Sequence, residues 1–158
     1  MRIDKELIIV IVFFAVLYGT ARFGSAKTNS DYDRYIDKYT RLYNVDPALV
    51  KALIMAESSW NPQAIKYEYS GKVSVGLGQI LFPDTARALG YAGNQGGLYD
   101  PETNIMLMCK LINDIKKRYS SLSDIVSSYN SGRIEYVNGL YSNQEYVNRV
   151  LRYYYQYR

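Results

Sequence analysis

The amino-acid sequence predicts a mainly α-helical domain with a loop-rich or short-hairpin middle, preceded by an N-terminal hydrophobic helix. Apolar residues recur at intervals of three and four over most of the chain, and Asp-Pro pairs open two of the periodic segments. No segment shows the sustained alternation of apolar and polar residues that is typical of a half-buried strand. With 158 residues, the chain is long enough for one domain with its own hydrophobic core.

The N-terminal segment is predicted to be a signal peptide or a membrane anchor. No charged residue lies between Glu6 and Arg22, and these 15 residues would form a helix of about 22 Å. This is shorter than the roughly 30 Å of a bilayer core but suits the apolar region of a signal peptide, so cleavage and retention both stay open. Uncleaved, residues 7–26 would attach the protein to the cell membrane, and in both cases the domain lies outside the cytoplasm. The predicted division is 1–26 (signal or anchor), 27–30 (linker) and 31–158 (domain).

Start and stop signals define six helices in the domain. Asp46-Pro47 and Asp100-Pro101 each place an N-cap aspartate before a proline at the first helical position. Ser142 and Glu145 have the spacing of a capping box for the last helix. Residues 66–81 are rich in Gly, Ser and Tyr and predict a loop or a short hairpin. The expected helices cover approximately residues 30–42, 47–58, 83–89, 101–119, 123–131 and 143–156.

Composition removes several classes of chemistry. The sequence contains no histidine, which excludes Ser-His-Asp, Cys-His and His-metal sites. Cys109 is the only cysteine and follows an apolar helical run, so we expect a buried thiol and neither a disulfide nor a metal cluster. The formal net charge is +4 without a dense Lys/Arg stripe, so no nucleic-acid partner is predicted. We expect no cofactor and no metal.

Glu57 is the candidate catalytic residue. It shares one helical stripe with the apolar residues Val50 and Ile54, and it lies in the last turn of its helix. Desolvation and the negative end of the helix dipole both favour the protonated carboxyl, which can act as a general acid. On this segment alone, an exposed glutamate at a helix end explains the pattern equally well.

Two later motifs add to Glu57. The segment 74–80, SVGLGQI, has two glycines that allow the backbone to approach a ligand, followed by Gln79. The segment 127–132, SSYNSG, puts Tyr129 and Asn130 at a helix end beside a glycine. Each motif alone is weak, since a lone Gly-x-Gly is common and the second motif is also an ordinary helix C-cap.

Together, and in this order, these motifs resemble those of the SLT-type lytic transglycosylases, the soluble lytic transglycosylase family related to goose-type lysozyme. That family shows Glu-Ser followed by Asn-Pro, then Gly-Leu-Met-Gln, then Ala-Tyr-Asn-x-Gly. The resemblance covers about residues 31–155. The matching segments here are Glu57-Ser58, Asn61-Pro62, Gly76-Leu77-Gly78-Gln79 and Ser128-Tyr129-Asn130-Ser131-Gly132, with Pro83-x-Thr85-Ala86, Leu89-Gly90 and Asp100-Pro101-x-x-Asn104-Ile105 between them.

The resemblance implies a lysozyme-like fold and a lytic cleavage of peptidoglycan at the bond between N-acetylmuramic acid and N-acetylglucosamine. It implies that one glutamate, Glu57, acts first as acid and then as base, which forms a 1,6-anhydro end without consuming water. Tyr129 would bring its hydroxyl near Glu57, Asn130 would support the site, and Ser58 would brace the turn. The sugar cleft would be lined by Gln79 and the backbone of Gly76, Leu77 and Gly78.

Three departures from the family pattern bear on these roles. Gly78 stands where methionine is usual, so an apolar contact under the sugar would be lost, and Ser128 replaces an alanine. The segment 57–79 is longer than usual, and the family serine within it is either Ser70 or Ser74. The longer segment also contains Glu68, which we expect in an exposed, charged loop. If Glu68 reached the far face of the sugar, it could activate a water, and the protein would be a lysozyme-like hydrolase.

The resemblance also implies where the protein acts. Its partners would be peptidoglycan glycan strands, and it would open the wall locally for a secretion apparatus, a conjugation apparatus or a phage particle. The expected location is the cell envelope, in the periplasm or on the outer face of the cytoplasmic membrane. A catalytically inactive wall-binding subunit is the alternative from another class. In the last helix, Tyr146, Val150 and Tyr153 or Tyr154 have helical spacing and are predicted to be mostly core, beneath a basic outer face.

Overall fold

Six α-helices and two small antiparallel sheets make up the part of the chain that the structure, a computed structural model, describes: residues 31–68 and 71–158. The predicted signal or anchor and its linker lie outside these residues. Within them, no helix has both the length and the apolar character needed to cross a membrane. The elements are α1 (Asp33–Tyr43), α2 (Pro47–Ser58), β1 (Ile65–Tyr67), β2 (Val73–Val75), β3 (Ile80–Phe82), α3 (Asp84–Ala88), a 3-10 helix (Gln95–Tyr99), α4 (Pro101–Lys116), α5 (Leu122–Ser131), β4 (Tyr136–Val137), β5 (Leu140–Tyr141) and α6 (Gln144–Tyr157).

Helix α2 is the centre of the core. Its residues Val50, Leu53 and Ile54 are completely buried, and its other sides are buried as well. A helix that is apolar on all sides must be surrounded by protein, and α2 packs mainly against α6 and also against α1. Helix α4 lies against α1 and α5. The C-terminal turn of α2, which carries Glu57, is therefore held from several directions.

The predicted Asp-Pro starts are confirmed. The side chain of Asp46 accepts a hydrogen bond from the backbone N–H of Ala48 at 2.8 Å, and that of Asp100 accepts one from Thr103 at 2.8 Å. Each satisfies an N–H group that has no partner within the helix.

Three other predicted helix starts were wrong in detail. Helix α1 begins at Asp33 with Tyr32 at its N-cap, not at Ser30. Helix α5 is capped by Ser121, whose hydroxyl accepts from the N–H of Asp124, so it begins before Ser123. The Ser142–Glu145 capping box does not form, because α6 starts one residue later and has Asn143 as an N-cap without a side-chain bond.

The loop-rich middle contains a three-stranded antiparallel sheet in the order β1-β2-β3. Val75 pairs with Ile65 on one side and with Ile80 on the other. Each strand has three residues, too few for an alternating pattern to stand out in the sequence. The sheet fixes the course of the chain between Glu57 and Gln79 and forms one wall of the cleft described below.

A second hairpin, β4–β5, follows α5 and was not predicted. Tyr136 pairs with Tyr141 across the two strands, and their rings stack with centroids 5.1 Å apart. Both hydroxyls donate to the carboxylate of Asp124, from Tyr141 at 2.7 Å and from Tyr136 at 3.4 Å. These bonds hold the hairpin against α5.

Candidate active site

Glu57 lies in the last turn of α2, immediately before a sharp change of chain direction. Ser59 and Trp60 both have left-handed backbone conformations, with φ of 50° and 66°. Such conformations cost energy in non-glycine residues and persist only where the surroundings fix them. Here Trp60 is buried, stacks with Tyr32 at 6.2 Å and donates its indole N–H to the hydroxyl of Tyr157 at 3.2 Å. This anchoring of Trp60 fixes the turn that follows Glu57.

The environment of Glu57 favours its protonated form. Burial raises the pKa of the Glu57 carboxyl above its ordinary value, and the nearby charge of Glu68 adds to this effect. A hydrogen bond from Tyr146 and the charges of Arg149 and Lys66 act in the opposite direction, but burial dominates. Glu57 therefore keeps its proton to a higher pH than an exposed glutamate. Tyr146, Arg149 and Lys66 nevertheless stabilise its ionised form. This is the combination that a carboxyl needs in order to give a proton and take it back.

Tyr146 on α6 is the site residue that sequence reasoning missed. Its hydroxyl donates to Oε1 of Glu57 at 2.6 Å, and the side chain is only 7% exposed. Burial, and then the charge of Glu57, raise the pKa of Tyr146 well above its ordinary value, so it remains a hydrogen-bond donor. The helical spacing predicted Tyr146 to be core, and it is, but no pattern in the sequence shows which buried group its hydroxyl reaches. Arg149 lies over the Tyr146 ring, with the guanidinium carbon 5.4 Å from the ring centroid.

Asn104 anchors the glycine loop from behind. It is completely buried, and its amide nitrogen donates to the carbonyls of Val75 at 2.9 Å and Leu98 at 2.8 Å. Its side-chain oxygen accepts a hydrogen bond from the backbone N–H of Gly78 at 2.8 Å. Gly76 has φ of +81°, and a Cβ there would lie 2.3 Å from the Asn104 amide nitrogen. The glycine is thus required both by its backbone conformation and by the closeness of Asn104.

Tyr129 is tied to the glycine loop and not to Glu57. Its hydroxyl donates to the carbonyl of Gly78 at 2.9 Å, whereas the hydroxyl that bonds Glu57 belongs to Tyr146. Burial, and then the charge of Glu57, raise the pKa of Tyr129 well above its ordinary value, so the two groups are electrostatic neighbours. The predicted proximity is present, but as an electrostatic influence without a hydrogen bond.

Gly76, Leu77 and Gly78, which were expected to line the sugar cleft, are not among the residues that line this one. All three are buried, and Leu77 is completely inaccessible. A Cβ on Gly78 would lie 2.2 Å from Cγ of Met108, so the absence of a side chain lets Met108 pack there. The loop acts through its anchored backbone, which positions Gln79 and Tyr129.

A cleft of about 550 Å³ lies between the three-stranded sheet and the ends of α4 and α5. Glu57 is not among the residues that line it, but three residues that do, Lys66, Glu68 and Tyr129, interact electrostatically with Glu57. The lining consists of Lys66, Glu68, Lys72, Ser74, Gln79, Ile80, Leu81, Thr85, Leu111, Ile115, Arg118, Ser128, Tyr129, Asn130, Ser131 and Gly132.

Of the predicted contact residues, Gln79, Tyr129 and Asn130 line the cleft, and Ser58 does not. Gln79 has φ of 51°, and its side-chain amide donates to the carbonyls of Gly76 at 3.0 Å and Ala64 at 3.3 Å. Asn130 is exposed, and its side-chain oxygen accepts from Asn143 at 3.0 Å. Ser58 does not line the cleft, and its hydroxyl donates to the carbonyl of Ile54 at 3.1 Å, within α2.

Glu68 is less exposed than the sequence indicated. Its carboxylate accepts a hydrogen bond from Ser74 at 2.9 Å and pairs with Lys66 at 3.1 Å, on the wall of the cleft. The bonds from Lys66 and Ser74 hold the pKa of Glu68 below its ordinary value, so it is ionised. Of the two candidates for the family serine, Ser74 lines the cleft and Ser70 lies outside the described residues.

Comparison with known proteins gives matches along most of the chain. The transglycosylase SLT domain family matches residues 34–148. The chain is 34% identical over 90 residues to the transglycosylase of Enterobacteria phage PRD1, covering 57% of this chain and 31% of that protein. It is 35% identical over 104 residues to membrane-bound lytic murein transglycosylase E of Buchnera aphidicola, covering 61% and 45%. The chain therefore spans less than half the length of these relatives.

Solved structures show the same fold. The 70 kDa soluble lytic transglycosylase of Escherichia coli matches with a TM-score of 0.62 and 22% identity, over 80% of this chain and 24% of that one. The lytic transglycosylase Slt of Pseudomonas aeruginosa, solved as an inactive glutamate-to-glutamine mutant, matches with a TM-score of 0.64 and 17% identity over the same shares. These likenesses confirm the prediction of a mainly α-helical, lysozyme-like domain.

Proposed function

The chain belongs to the transglycosylase SLT domain family, and on this premise we propose that it is a peptidoglycan lytic transglycosylase. Its reaction would cleave the β-1,4 bond between N-acetylmuramic acid and N-acetylglucosamine and leave a 1,6-anhydromuramic end. The observation that carries the proposal is Glu57, a carboxyl whose pKa is raised by burial, which is held by Tyr146 and interacts electrostatically with residues that line the cleft. The names of the phage PRD1 and Buchnera relatives support the same activity.

The proposed reaction uses Glu57 twice. As an acid, Glu57 protonates the glycosidic oxygen, the bond from C1 of the muramic sugar breaks, and the glucosamine portion leaves with a free hydroxyl. The substrate's own acetamido oxygen stabilises the positive charge at C1. The ionised Glu57 then removes the proton of the C6 hydroxyl as O6 attacks C1, which closes the anhydro ring and restores the acid. No water enters, and one carboxyl suffices where most glycosidases require two.

The surroundings of Glu57 suit both halves of this cycle. Burial keeps the proton on Glu57 before the bond breaks. After the bond breaks, the hydroxyl of Tyr146 and the positive charges of Arg149 and Lys66 stabilise the carboxylate until it accepts the C6 proton. Gln79, Asn130 and Ser74 offer polar atoms on the cleft wall, and we assign them to binding the sugar hydroxyl and acetamido groups.

A lysozyme-like hydrolase is a second candidate, favoured by one observation: the ionised Glu68 lies on the cleft wall. In this reaction Glu68 would activate a water that attacks C1. Its ion pair with Lys66 and its bond from Ser74 oppose this role, because a carboxylate with a lowered pKa is a weaker base. We therefore rank the transglycosylase first.

Mass spectrometry of the muropeptides released from purified peptidoglycan distinguishes the candidates. The wild-type chain should release anhydro products, lighter by one water than hydrolysed products. Glu57→Gln should release none, while Glu68→Gln and the control Glu102→Gln, which alters an exposed ion pair with Lys38, should still release them. Products with reducing ends, lost in Glu68→Gln, would instead establish hydrolysis. Binding of peptidoglycan without any product from the wild type would identify a wall-binding subunit.

We further propose that the protein acts in the cell envelope, in the periplasm or on the outer face of the cytoplasmic membrane, and makes local openings in the wall for a larger assembly. The phage relative supports an assembly of this kind, and the Buchnera relative, named as membrane-bound, supports a membrane location. Fractionation of cells that express the full chain tests this proposal. Recovery in the cytoplasmic fraction would contradict it.

A further inference from the structure

The cleft carries an excess of positive charge that the proposed acid–base cycle does not explain. Three of its lining residues are cationic, Lys66, Lys72 and Arg118, and one, Glu68, is anionic. The N-acetylated sugars of a glycan backbone are uncharged. A cation in the cleft that has no partner within the protein is free to bind an anionic group of a ligand.

Two of the three cations have partners in the protein. Lys66 pairs with Glu68 at 3.1 Å, and Lys72 pairs with Asp84. No carboxylate of residues 31–68 or 71–158 lies within ion-pair distance of Arg118. Its guanidinium carbon lies 5.4 Å from the ring centroid of the neighbouring Tyr119. The guanidinium is thus available at the cleft wall.

The position of Arg118 follows from the geometry of α4. Leu111, Ile115 and Arg118 stand at i, i+4 and i+7, so they lie along one stripe, and all three line the cleft. The stripe runs from two apolar side chains to a guanidinium just beyond the C-terminal end of α4. Ser131, the last residue of α5, and its C-cap Gly132 line the same cleft. A ligand lying along this wall would meet the half-buried Leu111 and, at the end, the exposed Arg118, whereas Ile115 is only 1% exposed.

We propose that Arg118 binds a carboxylate of the glycan strand and so makes the cleft selective for carboxylate-bearing substrate. The inference rests on the proposed function, since it assigns the substrate class of that site. A guanidinium is always charged and can form two parallel hydrogen bonds to one carboxylate, which a lysine cannot do. In peptidoglycan the carboxylate comes from one of two sources: the lactyl group of muramic acid where the peptide has been removed, or the peptide stem where it remains.

Binding measurements on the full chain in detergent test this proposal with Glu57→Gln as the background, so that turnover does not interfere. Three ligands are compared by calorimetry: tetra-N-acetylchitotetraose, which has no carboxylate; glycan strands stripped of peptide; and strands that retain their stems. Arg118→Gln should weaken binding of a carboxylate-bearing strand about threefold to tenfold, and added salt should reduce this difference. Binding of chitotetraose should not change. Arg118→Lys should recover part of the loss.

The matched control is Arg41→Gln, which removes the same charge from an exposed site on α1 outside the cleft. If Arg118→Gln loses affinity only for stripped strands, Arg118 binds the lactyl carboxylate. If it loses affinity only for stem-bearing strands, Arg118 binds the peptide. An equal loss for chitotetraose, or the same loss in Arg41→Gln, overturns the proposal, as does unchanged affinity for both strand types. If wild-type protein cleaves peptidoglycan while Arg118→Gln binds normally, the function stands and this inference fails. If the wild-type protein cleaves no peptidoglycan but Arg118→Gln weakens its binding of carboxylate-bearing strands, the proposed function fails and this inference stands.

Discussion

Replacing Tyr146 with phenylalanine tests the claim that its hydroxyl controls the protonation of Glu57. The substitution removes one oxygen from a buried ring and leaves the packing of α6 intact. It deletes the 2.6 Å hydrogen bond to Oε1 of Glu57, while burial and the charges of Arg149 and Lys66 persist. Because that bond stabilises the ionised carboxyl, its loss raises the pKa of Glu57 further.

The size of the effect follows from the kind of hydrogen bond. A bond to a charged group contributes about 1.5–3 kcal/mol, so at a fixed pH the ratio of ionised to protonated Glu57 should fall about tenfold to a hundredfold. The rate should therefore decline at a higher pH in Tyr146→Phe than in the wild type. At low pH, where Glu57 is protonated in both, loss of support for the carboxylate in the second step should lower kcat.

The assay is the pH dependence of kcat/KM and kcat for release of muropeptides from purified peptidoglycan. Tyr154→Phe is the matched control, because Tyr154 is an equally buried tyrosine on α6 whose hydroxyl donates to another carboxylate, Asp46, at 2.7 Å. It should leave the pH profile unchanged. A Tyr146→Phe profile that superimposes on the wild type, or a decline that moves to lower pH, would refute the reasoning.

Two further substitutions test the energetics of the site. Glu57→Gln should be more stable than the wild type at pH 7 by about 1 kcal/mol, or a few degrees in Tm. The sign follows from the raised pKa of Glu57 in the folded state. As the pH rises through that pKa, ionisation of Glu57 lowers the free energy of unfolding of the wild type, whereas glutamine does not titrate. The difference should vanish below the ordinary value of 4.5, and thermal melts at several pH values that show a constant difference would contradict this. Gly76→Ala should lower the free energy of unfolding by about 2–5 kcal/mol, because the strain of a left-handed alanine adds to a clash of its Cβ with Asn104 and the carbonyl of Leu98. Gly139→Ala has the same φ of +81° but open space around it, so it should cost only about 1–2 kcal/mol in urea melts, and equal costs would refute the clash.

The helical framework could be predicted from local signals. Asp46 and Asp100 cap α2 and α4 as the Asp-Pro pairs indicated, because a cap needs only a side-chain oxygen and the N–H groups two or three residues later. A signal of the same kind failed at Ser142, because α6 begins at Gln144 with Asn143 as its N-cap. For residues 66–81 the sequence left a loop and a short hairpin open, and the β4–β5 hairpin was missed, because each strand is too short to carry a period.

The candidate site was predictable in part. The position of Glu57 on an apolar stripe predicted a raised pKa, and in the structure Glu57 is half-buried and its desolvation raises the pKa of its carboxyl. The contacts of Gly78 were not predictable. Its partners Asn104 and Tyr129 lie 26 and 51 residues further along the chain, and no local pattern indicates that they contact Gly78. The cation at the end of the cleft, Arg118, carried no sequence signal at all.

The sequence by itself determined the helices, the order of the motifs and the presence of one acid at the end of a buried helix. Those features depend on neighbours three or four residues apart, which periodicity and capping report directly. Only the tertiary structure decided which hydroxyl holds Glu57, that the glycine loop is buried, and that Glu68 lines the cleft. These depend on contacts between distant segments, such as Tyr146 with Glu57 across 89 residues, and such contacts are set by the packing of α2 against α6. The chemistry of the carboxyl is thus encoded locally, and its control comes from the fold.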